Sequence, residues 1–165
     1  MLRVPTAASG RAARSASSSF LFASAEEAEA KFSGELAGNV YSRYTNPTVR
    51  GFEERLSALE QGEVAAATAS GMSAILALCM THLRAGDHVL CSQDVFGATV
   101  GLFDKVLKKF GVEVTFVSLT RVDDWREAAT PQTRLLFLET PSNPLNAIAD
   151  LPAFAQLSRD LDAIL

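Results

Sequence analysis

Runs of residues typical of β-strands alternate with runs typical of helices from residue 64 to the end of the chain. Apolar or β-branched runs predict strands at residues 64–68, 88–91, 113–117 and 134–138. Apolar residues at spacings of three and four predict helices at residues 72–83, 96–110, 122–129 and 151–165. This order is typical of βαβ units, so we expect an α/β fold with a mainly parallel sheet and helices on both of its faces.

A further helix is predicted upstream of the alternating region. Asn46 and Pro47 form a typical helix start, with Asn as the cap and Pro at the first helical position. Gln61 and Gly62 are expected to end this helix. Its apolar face is predicted to comprise Val49, Phe52, Leu56 and Leu59.

The predicted helix at residues 96–110 has one apolar face and one solvent-exposed polar face, the wet face. Gly111 follows this helix, in the position where a residue with left-handed backbone conformation commonly ends a helix. The apolar face is predicted to comprise Val100, Phe103, Val106 and Leu107, and the wet face Lys105, Lys108 and Lys109.

The predicted final helix runs to Leu165 without a capping residue, and an α/β sheet normally continues with another strand. We therefore expect residues 49–165 to form an incomplete, truncated α/β domain, preceded by an N-terminal arm at residues 20–48. Residues 1–19 are rich in Ala, Ser and Arg and contain no acid. That composition suits an organelle transit peptide, a disordered tail or a misassigned start, so we expect this segment to lie outside the folded domain.

Composition argues against several classes of function. The net charge is −4 and no run of five basic residues occurs, which argues against a nucleic-acid-binding surface. The longest apolar stretch, residues 74–80, is too short to span a bilayer. Cys79 and Cys91 are the only cysteines and lie in apolar contexts without metal-ligand spacing. We therefore expect buried thiols, no metal site and a cytoplasmic protein.

Residues 68–73 join a predicted strand to a predicted helix. Ligands of parallel α/β sheets bind at the carboxyl ends of strands, and a helix amino terminus offers unpaired N–H groups to a phosphate. Gly71 and the small side chains of Ser70 and Ser73 leave room for such a ligand. A tight turn capped by Ser70 explains the same residues, so the local pattern leaves both interpretations open.

Three more segments carry side chains suited to a site at this edge of the sheet. An extended stretch would place Tyr41 and Arg43 on one side, where they could clamp an anion, although an ordinary surface loop is the alternative. Phe96 could stack on a flat cofactor ring or be a core residue at a helix start. Glu139 and Asn143 lie at another strand end, where Asn143 could bind a substrate carboxylate or a ring hydroxyl, or simply form a turn.

The order and spacing of these segments resemble the Cys/Met-metabolism family of pyridoxal-phosphate enzymes. That family includes cystathionine synthases and lyases, methionine gamma-lyase and the homoserine-ester sulfhydrylases. The resemblance covers the chain from about Ser18 onward and is carried by residues 41–48 (YSRYTNPT), 69–74 (ASGMSA) and 139–144 (ETPSNP). Residues 38–40 and 95–97 resemble most the O-succinylhomoserine sulfhydrylase branch. Many relatives have tyrosine where this chain has Phe96, which argues against a lyase reaction that uses the phenol.

The resemblance implies the large domain of a fold type I pyridoxal-phosphate transferase, with pyridoxal 5′-phosphate as its cofactor. The backbone amides of Gly71 and Met72, next to Ser70, would hold the cofactor phosphate. Phe96 would stack on the pyridine ring.

The resemblance also implies contacts with the substrate and with a second subunit. Asn143 would face the cofactor and the carboxylate of a small amino-acid substrate, and Glu139 would support that loop. Tyr41 and Arg43 would reach the cofactor phosphate of a neighbouring subunit. This implies a homo-oligomer, which is a tetramer in the family.

Two catalytic parts of the family have no match in the chain. The aspartate that pairs with the pyridine nitrogen should follow the final helix, and Asp160 and Asp162 precede that position. The Schiff-base lysine should come later, in a Ser-x-Thr-Lys setting. The lysines present are Lys31, Lys105, Lys108 and Lys109, none in that setting. We therefore expect no catalytic residue here and an inactive N-terminal fragment of an enzyme of methionine biosynthesis, which makes homocysteine from O-succinylhomoserine and sulfide.

Two other functions remain open at this stage. The first is a fragment of a cystathionine gamma-synthase or a gamma-lyase, which the product formed with sulfide or with cysteine would distinguish. The second is a non-catalytic phosphate-binding or subunit-interaction module. A downstream, in-frame strand that carries the aspartate for the pyridine nitrogen, followed by a Ser-x-Thr-Lys sequence, would argue against such a non-catalytic module.

Overall fold

The structure is a computed structural model that describes residues 14–165. Most of the predicted N-terminal tail at residues 1–19 therefore lies outside the described residues. The chain divides into two compact units, of which the first extends to Ala67 and the second spans Thr68–Leu165. The predicted arm at residues 20–48 lies in the first unit.

The first unit contains helices α1 (Ala25–Ser33) and α2 (Pro47–Glu60). The predicted start of α2 is confirmed, because Asn46 Oδ1 accepts hydrogen bonds from Thr48 N at 2.8 Å and Val49 N at 3.3 Å. Its predicted end is also confirmed, since Gln61 adopts a left-handed conformation with φ of 55°. No residue of α2 is buried within the described chain, and its apolar face of Val49, Phe52, Leu56 and Leu59 is exposed.

The second unit alternates helices with strands as predicted. Helix α3 (Gly71–His82) leads to strand β1 (His88–Ser92), and helix α4 (Gly97–Gly101) continues through a π-helical turn (Leu102–Val106) and a 3-10 turn (Leu107–Phe110). Strand β2 (Glu113–Val117), helix α5 (Val122–Ala128), strand β3 (Thr133–Phe137) and helix α6 (Leu151–Leu161) follow in that order. Gly111 caps the 3-10 turn with φ of 78°, which confirms its predicted left-handed conformation.

The three strands form a parallel sheet in the order β2-β1-β3. Every residue of the central strand β1 is buried. Val89 and Cys91 pack on one face of the sheet against residues of α3 and of the turns that follow α4, including Phe103. Leu90 packs on the other face against residues of α5 and α6, including Trp125. The prediction of a parallel α/β sheet with helices on both faces is confirmed.

The predicted strand at residues 64–68 is wrong. These residues form no strand, and Val64 is 83% exposed. An apolar run becomes a strand only where a neighbouring strand supplies backbone partners. No strand within the described residues pairs with this run.

The predicted apolar face of the helix at residues 96–110 is correct only in part. Phe103 and Leu107 are buried, whereas Val106 is exposed and Leu102 is buried in its place. The cause is the π-helical turn at Leu102–Val106, because a π-helical turn holds one residue more than an α-helical turn and rotates the residues that follow.

The last predicted helix ends earlier than expected. Asp162 adopts a left-handed conformation, and its N–H bonds the carbonyl of Arg159, so the helix is capped after Leu161 and the expectation of an uncapped helix is wrong. Ile164 then forms a parallel bridge with Leu135. This isolated bridge adds a short parallel contact to β3, which is an edge strand of the three-stranded sheet.

His88, at the start of β1, joins the two neighbouring strands through its imidazole ring. Its Nδ1 lies 2.8 Å from Thr133 Oγ1 on β3, and its Nε2 lies 2.9 Å from Thr115 Oγ1 on β2. Thr133 Oγ1 also accepts a hydrogen bond from Thr130 N at 2.9 Å, which holds this hydroxyl beside the ring. Burial lowers the pKa of His88, and the charge of Glu113 opposes this only in part.

We expect acid to destabilise the second unit through His88. The unfolded imidazole titrates near its ordinary pKa of 6.5, whereas the folded ring resists protonation. The stability that the neutral His88 ring contributes is therefore fully present above the unfolded pKa of 6.5. It is lost as the pH falls towards the lower pKa of the folded state. Urea unfolding from about pH 7.5 to about pH 5 should show a steeper loss for the parent chain than for His88→Gln, which cannot titrate. Parallel stability curves for the two chains would contradict this expectation.

Candidate functional site

The amino end of α3 is closed by a reciprocal pair of serines. Ser70 Oγ accepts a hydrogen bond from Ser73 N at 3.2 Å, and Ser73 Oγ accepts one from Ser70 N at 2.9 Å. This capping box explains why the helix begins after Ser70. The turn interpretation of this segment is confirmed.

Two backbone N–H groups of the same turn remain available to a ligand. Within residues 14–165, no acceptor bonds the N–H of Gly71 or of Met72. A Cβ atom at Gly71 would meet no atom within 4 Å, so the space beside the Gly71 Cα is open. The capping and anion-binding interpretations are therefore compatible, because the serines satisfy their own amides and leave the next two free.

Phe96 opens α4, directly after the segment that follows β1. Its side chain is 54% exposed, so the alternative of a core phenylalanine is wrong. Its backbone N–H donates to Glu139 Oε2 at 3.0 Å. The ring thus presents a face to solvent while its backbone is anchored, and its role in stacking on a cofactor stays a prediction.

Glu139 and Thr99 join three of the predicted site segments. Glu139 follows β3 and binds the start of α4, and its Oε1 lies 3.4 Å from Thr99 Oγ1. The same buried hydroxyl lies 3.9 Å from Met72 Sδ at the start of α3. The sequence did not identify Thr99 as a site residue. The only feature that could have pointed to it is its position three residues after Phe96.

The loop after β3 is held by two hydroxyl groups. Thr140 Oγ1 accepts a hydrogen bond from Ala149 N at 3.0 Å, and the buried Ser142 Oγ accepts one from Ala147 N at 3.1 Å. Asn143 lies exposed next to Ser142, and within the described residues its side chain bonds none of the other predicted site residues. The loop thus leaves the Asn143 amide free, and its role as a ligand group stays a prediction.

In the first unit, Arg43 lies between two tyrosine rings. Its guanidinium carbon is 5.3 Å from the ring centroid of Tyr41 and 4.9 Å from that of Tyr44. These residues form a turn, in which Tyr41 O accepts hydrogen bonds from Tyr44 N and Thr45 N, so the expectation of an extended stretch is wrong. No carboxylate in the described chain forms a salt bridge with Arg43, and a surface pocket of about 550 Å³ lies beside it, lined also by Phe32 and Val40.

Neither cysteine is suited to nucleophilic chemistry. Both thiols are unpaired and buried, as predicted. Burial raises the pKa of Cys79 to about 11. Burial, reinforced by the charge of Glu139, raises the pKa of Cys91 to about 12. Both groups are therefore protonated at neutral pH.

Residues 14–165 contain neither a cluster of metal-ligating side chains nor a helix suited to span a membrane. No three His, Cys, Asp or Glu side chains lie close enough together to hold a metal ion in this part of the chain. None of the helices described here has the length and apolar character needed to cross a membrane.

Curated proteins of known activity are similar to this chain over most of its length. An O-succinylhomoserine sulfhydrylase of Pseudomonas aeruginosa is 54% identical over 90% of this chain and 37% of the relative. An L-methionine gamma-lyase of Fusobacterium nucleatum is 44% identical over 86% of the chain and 36% of the relative. A cystathionine gamma-synthase of Mycobacterium bovis is 41% identical over 87% of the chain and 37% of the relative. The chain therefore spans just over a third of the length of these relatives.

A solved structure shares the fold of the described residues. It is a protein of Campylobacter jejuni assigned as an O-acetylhomoserine (thiol)-lyase, with N′-pyridoxyl-lysine-5′-monophosphate, and it matches with a TM-score of 0.76 and 31% identity. The match covers 89% of this chain and 36% of that chain. A profile of the Cys/Met metabolism PLP-dependent enzymes matches residues 5–165. The chain belongs to the Cys/Met metabolism family of pyridoxal-phosphate-dependent enzymes.

Proposed function

We propose that this chain carries the cofactor cradle of a pyridoxal-phosphate-dependent sulfhydrylase, which makes homocysteine from O-succinylhomoserine and sulfide. The observation that carries the proposal is the pair of amides at Gly71 and Met72 that no acceptor bonds within residues 14–165, at a helix start where Met72 contacts Thr99, three residues after Phe96. Their surroundings fit a phosphate on an aromatic ring, because a helix amino terminus favours the anion and an exposed phenylalanine favours the ring. The identity with an O-succinylhomoserine sulfhydrylase supports the choice of substrate.

The predicted cofactor-binding residues of the second unit have these roles in the proposal. The amides of Gly71 and Met72 bind the cofactor phosphate, next to Ser70. Phe96 stacks on the pyridine ring, and Asn143 binds the cofactor or the substrate carboxylate. The bound cofactor supplies an electron sink for the substrate carbon skeleton.

The first unit provides an anion clamp for a neighbouring subunit. Arg43 is free of carboxylate partners in the described chain, and its forked donors suit a phosphate. We therefore propose that Tyr41 and Arg43 bind the cofactor phosphate of a second copy, in a homo-oligomer that is a tetramer. A cytoplasmic location is proposed as well, and the two buried, unpaired thiols support it.

The chain alone is proposed to be inactive. Lys31 and Lys108 form salt bridges with Glu27 and Asp104, and the other two lysines, Lys105 and Lys109, are exposed in the π-helical and 3-10 turns that follow α4. Within residues 14–165, none of the four bonds a residue of the proposed cradle. The proton transfers of this chemistry require a lysine at the cofactor, and these four lysines do not supply one.

We expect the purified chain to bind pyridoxamine 5′-phosphate without turning over substrate. Isothermal titration should detect this ligand and should detect no binding of pyridoxamine, which lacks the phosphate that the amides bind. Chromatography should detect no homocysteine from pyridoxal 5′-phosphate, O-succinylhomoserine and sulfide. Equal binding of both ligands would refute the phosphate site, and sulfide-dependent homocysteine formation would refute the inactivity.

A second candidate is a gamma-lyase or a cystathionine gamma-synthase, which the identities of 44% and 41% to such enzymes favour. Phe96 argues against a lyase that uses a phenol at this position. Because the chain alone is proposed to be inactive, the assay that separates these candidates uses a longer protein that contains this chain and the Schiff-base lysine, with methionine alone and with O-succinylhomoserine and cysteine. Methanethiol would indicate the lyase and cystathionine the synthase.

A further inference from the structure

Phe96 begins a helix without a cap from its own segment. No side chain near it in sequence bonds the first turn of α4. Glu139 provides the cap instead, from the end of the neighbouring strand β3, with its Oε2 3.0 Å from Phe96 N. The backbone position of Phe96 is thus set by a residue 43 positions later in the chain.

Thr99 supplies a second contact to the same carboxylate. Its hydroxyl lies 3.4 Å from Glu139 Oε1, and its N–H donates to Phe96 O at 2.8 Å. The side chain is 1% exposed, so it packs in one fixed environment. Glu139 therefore contacts the first turn of α4 at two points, which restricts both the position and the tilt of that turn.

The charge of Glu139 has no cationic partner in the described part of the chain. None of its Lys, Arg or His side chains forms a salt bridge with this carboxylate. The Glu139 charge acts on the interior of the second unit, since it contributes to the raised pKa of the buried Cys91 thiol. A carboxylate held next to a helix start without a basic partner is bound mainly by N–H and O–H donors, which are strong when the acceptor is charged.

We propose that Glu139 and Thr99 are positioning residues that hold Phe96 at the angle at which it stacks on the pyridine ring. This inference rests on the proposed function, because it gives Phe96 a cofactor ring to contact. Glu139 itself touches Phe96 and Thr99, and it acts on the ring only through them. Met72, in contact with the Thr99 hydroxyl, places the phosphate turn next to the same group.

The first measurement reports the contact without any cofactor. In Glu139→Ala, we expect the Phe96 amide hydrogen to exchange about tenfold to a hundredfold faster by NMR, since a charged acceptor is lost. Glu139→Gln should restore most of the protection, because its amide can still accept from Phe96 N and donate to Thr99 Oγ1. The exposed acid Glu127 serves as a control, and Glu127→Gln should leave the exchange unchanged. Unchanged exchange in Glu139→Ala would overturn the proposal.

The second measurement separates positioning from general stability. Pyridoxamine 5′-phosphate needs both the phosphate turn and the ring of Phe96, whereas inorganic phosphate needs only the turn. Glu139→Ala should weaken the first ligand about tenfold and change the second by less than about twofold, and Thr99→Val should give a smaller change of the same kind. Thr99→Ser, which keeps the hydroxyl, should restore binding.

The outcomes of the two measurements are distinct. Equal weakening of both ligands in Glu139→Ala would indicate a merely structural role and overturn the proposal. If the parent chain binds neither ligand, the proposed cofactor cradle is refuted, and the Phe96 exchange rate still decides whether Glu139 holds this turn.

Discussion

We expect Gly71→Asp to make the second unit more stable and at the same time to abolish most of its affinity for pyridoxamine 5′-phosphate. A carboxylate in the first turn of a helix stabilises it by about 0.3–1 kcal/mol through the helix dipole. The same carboxylate repels a bound phosphate by about 1–4 kcal/mol per unit charge, a weakening of roughly fivefold to several hundredfold. Urea unfolding measures the first effect and isothermal titration the second.

The neutral variant Gly71→Asn is the matched control for charge. Both side chains occupy the same volume, and a Cβ at this position meets no protein atom within 4 Å. Asn should therefore weaken binding much less than Asp. Equal losses for the two variants would mean that the side chain blocks the site by its size, and an Asp variant with parental affinity would place the phosphate elsewhere.

Trp125→Ala should cost about 3–5 kcal/mol in the free energy of unfolding of the second unit. Trp125 is completely buried, and its ring meets that of Phe154 edge to face with centroids 4.8 Å apart. Its Nε1 also donates to Ser118 O at 2.8 Å. Urea unfolding followed by circular dichroism should show a large shift of the midpoint, because a loss of this size is a substantial part of the stability of a typical domain.

Trp125→Phe separates the ring from the hydrogen bond. It keeps an aromatic contact with Phe154 and leaves Ser118 O without its donor, so a loss of about 1–3 kcal/mol is expected. A Phe variant as unstable as the Ala variant would show that the hydrogen bond, and not the packing of the ring, dominates at this position.

Local signals predicted most elements of the second unit, because those elements depend on residues close in sequence. The limits of β2 agree with the alternating run at residues 113–117, and Gly111 has the left-handed conformation that ends a helix. Ser70 forms the expected cap of α3. The α/β architecture itself follows from the order of these elements.

Features that depend on distant partners could not be predicted from the sequence. Residues 64–68 have the composition of a strand and form none, because pairing is decided by neighbouring chain segments. The π-helical turn at Leu102–Val106 has no clear local signal, and it moved Val106 to the surface. The contact of Glu139 with Phe96 joins two segments that follow different strands and lie 43 residues apart in sequence, so only the folded chain shows it.

The stacking of Arg43 between Tyr41 and Tyr44 has a thermodynamic consequence for anion capture. A free arginine side chain loses about 2 kcal/mol of rotamer entropy when it is immobilised. The two tyrosine rings have already restricted the guanidinium before any anion arrives, so part of that loss belongs to folding rather than to binding. The arginine is therefore preorganised, and more of the attraction between its charge and an incoming anion appears as affinity.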